Sequence, residues 1–472
     1  VALNQRQLRH LRAAHAKLKA LGHEDPESFA LAKPTHGPGR ADYVTIERIL
    51  FELMALVRAE LAGDHVHIGY TVLELSLFSA IRAGSLDPVA DIVEALRERH
   101  LHEPGFLIYP LYGLGMLPEP NSSLLRSPGA LDVIDADAGL AVTSGVGTRE
   151  GLLDFLDRSA SGLGIVGSVG RRDIDHYVSM QGVTDWLLSN PLLILRVRSV
   201  SMGPRENQGA YLKIISHRIA LLCLVSSLGP PRGKSRLLSR STHMVNNHET
   251  LDFKHYFVFE TDGAANKPLR AERVPMGPRR AAFLRLADLP IDIDPSAWAS
   301  GAVKEVVSSL TDAITDLEDL QAAVSAGVKS AGHKANVARK ISTSLHWIRR
   351  SFASAADPRE AVVAAAVAFE ALLSDGFSHG ITQTIISRAQ ICLDARSAPS
   401  ELGGAVAELF NWRGAIVHKG EADSETSLAQ AHQTYVYCLV EVVHRTWEST
   451  PNGTLEIADL LPAEAEPLNP AL

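Results

Sequence analysis

Arg413 and His418 lie five positions apart in the run Arg413-Gly414-Ala415-Ile416-Val417-His418, at the end of a helix-like pattern. A guanidinium stays charged under all relevant conditions and clamps phosphate oxygens with a planar fork of donors. An imidazole titrates near neutrality and can give or take a proton. Together they are a minimal kit for cleaving a phosphodiester without a metal. On an ideal α-helix five positions rotate by about 140°, so the two side chains do not share a face. They converge if the helix is distorted, which Gly414 permits, or if the long Arg arm reaches around. A structural account of the same residues has Arg413 answering acidic neighbours and His418 favoured at a helix C-terminus by the macrodipole.

The elements that must position this pair carry a recognisable order. Val367-Ala368-Phe369-Glu370-Ala371-Leu372-Leu373 is followed by Ile386-Ser387-Arg388-Ala389, then by Leu409-Phe410-Asn411-Trp412-Arg413. This series resembles HEPN domains, particularly the Apea-like branch with its RX4H motif, over roughly residues 301 to 448. The resemblance implies an all-α helical bundle that dimerises about a two-fold axis, so that two Arg413 and two His418 form one composite site. It implies a metal-independent endoribonuclease, of the kind used as a toxin or phage-defence effector, with RNA as substrate and no cofactor. His418 would then help deprotonate a ribose 2′-hydroxyl and Arg413 would stabilise charge gathering on the phosphate. Trp412 and Lys419 flank the pair as supporting residues. Gly414 stands where active members often carry a polar residue, and Lys419 separates His418 from Gly420 where the family often reads His-Gly directly. With the acidic balance described below, these two positions favour the alternative, a non-catalytic module that binds a nucleotide, RNA or protein and dimerises.

Glu370 lies among apolar residues, where an unpaired carboxylate is costly, so a base such as Arg388 or Arg413 is expected beside it. Arg349 and Arg350, next to Trp347, are candidates for substrate contact. So is the basic loop Arg232, Lys234, Arg236 and Arg240, four positive charges within nine positions; it suits RNA, another polyanion or a solvated loop equally.

Three further patterns fail on context. Gly162-Leu163-Gly164-Ile165-Val166-Gly167 matches a dinucleotide fingerprint but follows a helix-like segment instead of a strand. Gly229-Pro230-Pro231-Arg232-Gly233-Lys234-Ser235 is one residue short of a phosphate loop, and its prolines remove backbone donors. The histidines His65, His67, His100 and His102 with Asp64 have no standard ligand spacing, so no metal is expected.

At 472 residues the length suggests two to four domains. The net charge is −8, and beyond Gly301 there are 13 Lys and Arg against 21 Asp and Glu, so the deficit sits there. A sequence-independent nucleic-acid binder normally carries a basic excess, so any RNA must be held by local patches. Cys223, Cys392 and Cys438 show no paired spacing, which points to small buried side chains and a reducing cytoplasm. The apolar runs look too short and interrupted to span a membrane, and Val1–Leu21 reads as a basic amphipathic helix rather than a secretory signal.

The expected architecture is α+β and multidomain. Residues 1–120 read as helical, with Pro110–Pro120 as a linker or ordered loop, and a regulatory ligand or protein is expected to act on this N-terminal part. Residues 126–295 read as a β-rich α+β domain, possibly one unit with 1–120, with strands at Leu192–Val200, Tyr211–Val225 and His255–Glu260. Residues 301–450 read as five or six helices with short breaks, one of them at Gly332. The proline-containing segment 451–472 reads as a flexible tail.

Overall fold

The computed structural model describes residues 3–37, 39–62, 70–100, 105–111, 114–116, 132–170, 174, 186–197, 208–228, 255–260, 268–276, 280–287, 289, 291–293, 301–325, 328–353, 358–376, 380–420 and 428–462. It is mostly helical, with a sheet in the middle of the chain. In order the elements are α1 (Gln5–Leu21), α2 (Pro26–Ala32), α3 (Arg40–Ala62), α4 (Tyr70–Ala83), α5 (Pro88–His100), β1 (Gly105–Pro110), β2 (Leu114–Met116), β3 (Asp132–Asp135), β4 (Leu140–Thr143), α6 (Arg149–Gly162) and β5 (Ser168–Val169). There follow α7 (Trp186–Ser189), β6 (Leu192–Val197), α8 (Gln208–Leu228), β7 (His255–Glu260), β8 (Pro268–Pro275), α9 (Arg280–Ala287) and β9 (Ile291–Ile293). The last third holds α10 (Gly301–Ser325), α11 (Lys329–Ala353), α12 (Pro358–Leu373), α13 (Ile381–Ala395), α14 (Ala405–Lys419), α15 (Ala429–Glu448) and α16 (Ile457–Leu460).

Two hydrophobic cores form. The first joins α1 to α5 through Leu11, Leu18, Phe29, Ile46, Leu53, Leu77 and Phe78. Asn4 caps α1 with a reciprocal pair to Gln7, and Asp25 caps α2, so the helix starts are written into the sequence. This core closes by Leu96. Strands Gly105–Pro110 and Leu114–Met116 follow it, inside the stretch to residue 120 that was expected to be helical and then a linker or loop.

The second core draws its described members from Phe106 to Leu461. Its seven-stranded sheet has the order β3-β4-β6-β1-β7-β8-β5, antiparallel except for the short β5–β8 pair. Central β1 is buried along its whole length, and its neighbour β6 exposes only Arg196. Burial on both faces is why these strands read as apolar runs with little alternation.

Helix α8 overturns the expected strand at Tyr211–Val225. Its residues are apolar nearly all round, so periodicity cannot separate a buried helix from a buried strand, and only its 21-residue length decides. The window Tyr211–Leu228 is long and apolar enough to cross a membrane, contrary to the reading of short interrupted runs. Here 67% of that window is buried inside the protein, as a core helix is. It touches β9 and α9 on one side and α10, α11 and α15 on the other. Glu318 of α10 accepts from Arg218 at 2.8 Å and lies 3.3 Å from His217. Gln433 of α15 donates to the Ser227 carbonyl. The middle region and the helical bundle thus pack together in one hydrophobic cluster.

Six helices, α10 to α15, fill the region expected to hold five or six, except that the expected break at Gly332 is absent because α11 begins at Lys329 and runs through it. Residues 451–462 are also unlike the expected flexible tail. Leu455, Ile457, Leu460 and Leu461 are buried, and the Leu455 amide donates to the His333 carbonyl at 2.8 Å. The remainder of that expected tail lies outside the described residues.

Candidate functional site

Helix α14 carries the Arg413–His418 pair. Its first half buries Ala405, Val406, Leu409 and Phe410 against the bundle, while its second half rises out of the core. Trp412 and Ile416 are half-buried against the core, Val417 is 59% exposed, and His418 and Lys419 are exposed. The helix is unbroken through Gly414 and stops at Gly420, whose left-handed backbone (φ 69°) lets its N–H bond the Ile416 carbonyl. The local distortion that Gly414 permits does not occur. Within one chain Arg413 and His418 therefore point about 140° apart.

Arg413 is drawn to α12. Its Nη1 lies 3.2 Å from Glu370 Oε1, with the two side chains 37% and 26% exposed. Its guanidinium carbon stands 5.9 Å from the centre of the Phe410 ring. Its Nε is buried and finds no hydrogen-bond acceptor among the described residues. Glu370 thus meets one of its two expected partners, and the pair fixes the Arg arm at the half-exposed flank of α14. His418 and Lys419 occupy the last turn, where positive charge complements the helix dipole.

Arg388 belongs elsewhere. It is 5% exposed, donates Nε to the Leu461 carbonyl at 2.9 Å and Nη1 to the Leu373 carbonyl at 2.7 Å, and pairs with Asp375 at 3.0 Å. Asp375 in turn accepts from the amide of Ile457 at 2.6 Å. Arg388 is a pin between the end of α12, the start of α16 and the segment after it, not a neighbour of Glu370. Its described contacts all hold the end of the bundle together.

Arg349 and Arg350 lie on α11. Arg349 donates to Ser216 of α8 and to His346 at 3.2 Å; Arg350 stacks over Trp347 at 4.7 Å. Burial and the charges of Arg349, Arg350 and Arg285 hold the His346 pKa below its ordinary value. Arg232, Lys234, Arg236 and Arg240 lie outside the described residues, as do the phosphate-loop look-alike and the loop bearing His65 and His67. The glycine-rich run at 162–167 ends α6, as its helical prelude implied. No group of three metal-ligating side chains occurs among the described residues.

Sequence reasoning missed a groove of about 490 Å³ between α8, α10 and α11. Lys213, Arg339, Ser342, Thr343 and His346 line it. One signal was available: Arg339, Thr343, His346 and Arg350 recur at helical spacing and are all exposed. Lys213 and Gln321 come from other helices, and nothing local announces them.

No protein-family model matches this chain, and neither does any curated protein or solved structure.

Proposed function

We propose that this protein is a metal-independent endoribonuclease of the HEPN type. Its composite site would be built from Arg413 and His418 of two protomers, and it would act as a toxin or phage-defence effector regulated through its N-terminal helices. One observation carries the reading: the last turn of α14 is exposed and presents His418 to solvent, one turn beyond a guanidinium held in place by Glu370. Because the two groups diverge on a regular helix, a second copy of the same helix end is the simplest way to bring an Arg and a His to one phosphate.

In this reading one His418 takes the proton of a ribose 2′-hydroxyl as O2′ attacks phosphorus. The bond from phosphorus to O5′ breaks, and the second His418 protonates the departing oxygen. A 2′,3′-cyclic phosphate and a 5′-hydroxyl result. Arg413 stabilises the negative charge on the non-bridging oxygens. DNA lacks the attacking hydroxyl and is inert.

A second reading, a non-catalytic dimerising or ligand-binding module, is favoured by the Glu370–Arg413 contact, which already partners the guanidinium. One assay separates them. Labelled single-stranded RNA is incubated in EDTA with wild type, Arg413→Ala and His418→Ala, beside a DNA strand of the same sequence. Cleavage of RNA by wild type alone supports the enzyme. Intact RNA in every arm, with and without cell extract as activator, supports the module.

A further inference from the structure

The groove between α8, α10 and α11 gathers cationic side chains on a lining that has no carboxylate. Elsewhere in the bundle, buried or half-buried arginines face carboxylates: Arg413 faces Glu370, Arg388 faces Asp375, and Arg396 and Arg445 share Glu441. Around the groove the partners of the α11 arginines are not acids. Arg339 donates to Asn336 at 2.7 Å, Arg349 to Ser216 and His346, and Arg350 covers Trp347. No Asp or Glu is among the residues that line the groove. The nearby Glu318 is held by Arg218 and His217. This stands in a segment whose acidic residues outnumber its basic ones by 21 to 13, so the groove is a positive focus within an acidic surround.

One titration shift agrees with that field, and a second reports burial. The His346 pKa is lowered by burial and by three surrounding arginines. Lys213 has much of its surface open to solvent, yet enough protein surrounds it to lower its pKa by desolvation, with Glu318 opposing.

Spacing gives the ligand class. Arg339 and His346 are seven positions apart on one side of α11, which sets their backbones about 10 Å apart along the axis. Between them the lining is Ser342 and Thr343, short side chains that leave the space open. A lone carboxylate or phosphate touches one end only. A chain of two or three phosphates reaches both, with Lys213 closing over it from α8. The volume is that of a small-molecule site.

We propose that this groove binds a small molecule bearing a di- or triphosphate chain, held between Arg339 and His346 with Lys213 as a third anchor. The proposal is independent of the ribonuclease reading. Because Lys213 comes from the sheet region and the other two anchors from the bundle, the bound ligand bridges the two.

The test is calorimetric titration of the full chain with ATP, sodium tripolyphosphate, inorganic monophosphate and a short single-stranded RNA. The same titrations are run on Arg339→Ala, Arg339→Lys and Lys213→Ala. Arg339 and Lys213 are exposed, so the variants should melt with wild type. The expected result is 1:1 binding of tripolyphosphate, ATP or both, weakened about tenfold or more by either alanine variant, since each removes a charged contact. Arg339→Lys should recover part of the loss, and monophosphate should bind far more weakly. Tighter binding of ATP identifies a nucleotide; equal binding identifies a bare phosphate chain. Absence of binding by both, binding indifferent to the alanine variants, or RNA binding that ATP does not displace would overturn the proposal.

Discussion

Replacing Arg388 by Met should cost this protein about 3–5 kcal/mol without touching its chemistry. The side chain is nearly inaccessible and makes two charge-assisted bonds to carbonyls, Leu461 at 2.9 Å and Leu373 at 2.7 Å. Each is worth about 1.5–3 kcal/mol, and the carbonyls left behind keep part of their desolvation penalty. Methionine retains the aliphatic bulk, so little is lost from packing. Asp375 is 32% exposed and can hydrate, which limits the charge penalty. Urea unfolding followed by far-ultraviolet circular dichroism gives the number. A chain ending at Pro451 supplies the second arm of a cycle, because it removes the Leu461 carbonyl and the buried Leu455, Ile457, Leu460 and Leu461. In that background Arg388→Met should cost less by about 1.5–3 kcal/mol, the share of the lost bond. Any nuclease activity per folded molecule should be unchanged. A loss below about 0.5 kcal/mol, within the range of an ordinary surface substitution, or the same cost in both backgrounds, would refute the pin.

Glu370→Gln should change stability by no more than about 1 kcal/mol, because the ion pair is part-exposed, yet slow RNA cleavage if Glu370 orients Arg413; a kcat equal to wild type would show the contact to be structural only. Glu318→Ala should cost about 3–5 kcal/mol by leaving Arg218 and His217 without their acceptor beside a packed core, and a urea midpoint like that of wild type would contradict it. Burial alone would raise the Glu441 pKa, but the bond from Arg445 and the charge of Arg396 outweigh it and hold the value below the ordinary range. A depressed folded pKa adds stability above the unfolded value of about 4.3 and loses it as pH falls through the folded one. Glu441→Gln should therefore flatten the stability–pH curve below about pH 4 while lowering the plateau above it, and parallel curves for the two proteins would contradict that.

How far the residues foretold this structure depends on what set each element. The bundle helices were legible because each has one apolar face and a polar one, as α11 and α15 do. The N-terminal helices were legible for the same reason, while the caps at Asn4 and Asp25 emerged only from the structure. Helix α8 was not, because burial on all sides erases its periodicity. The shared core was also hidden: Glu318 meets Arg218 across 100 positions, and no local pattern encodes that contact. The tail misled because Pro451 and Pro462 signal irregular chain, whereas Leu455, Ile457 and Leu460 decide that it packs. At the site, Glu370 was expected to face Arg388 or Arg413, and geometry chose Arg413. The groove cations were scattered over two helices and came together only in three dimensions.

The most direct test of the central claim is proximity across a dimer at the end of α14. Val417 is exposed beside His418, and Cys223, Cys392 and Cys438 are all buried, so Val417→Cys places one reactive thiol per protomer there. Treated with a short bis-maleimide at low protein concentration, the composite-site account predicts rapid, near-complete covalent dimer, slowed by RNA that occupies the shared groove. A chain that stays monomeric under the same treatment, while thiol labelling shows the introduced cysteine to be fully reactive, would contradict it.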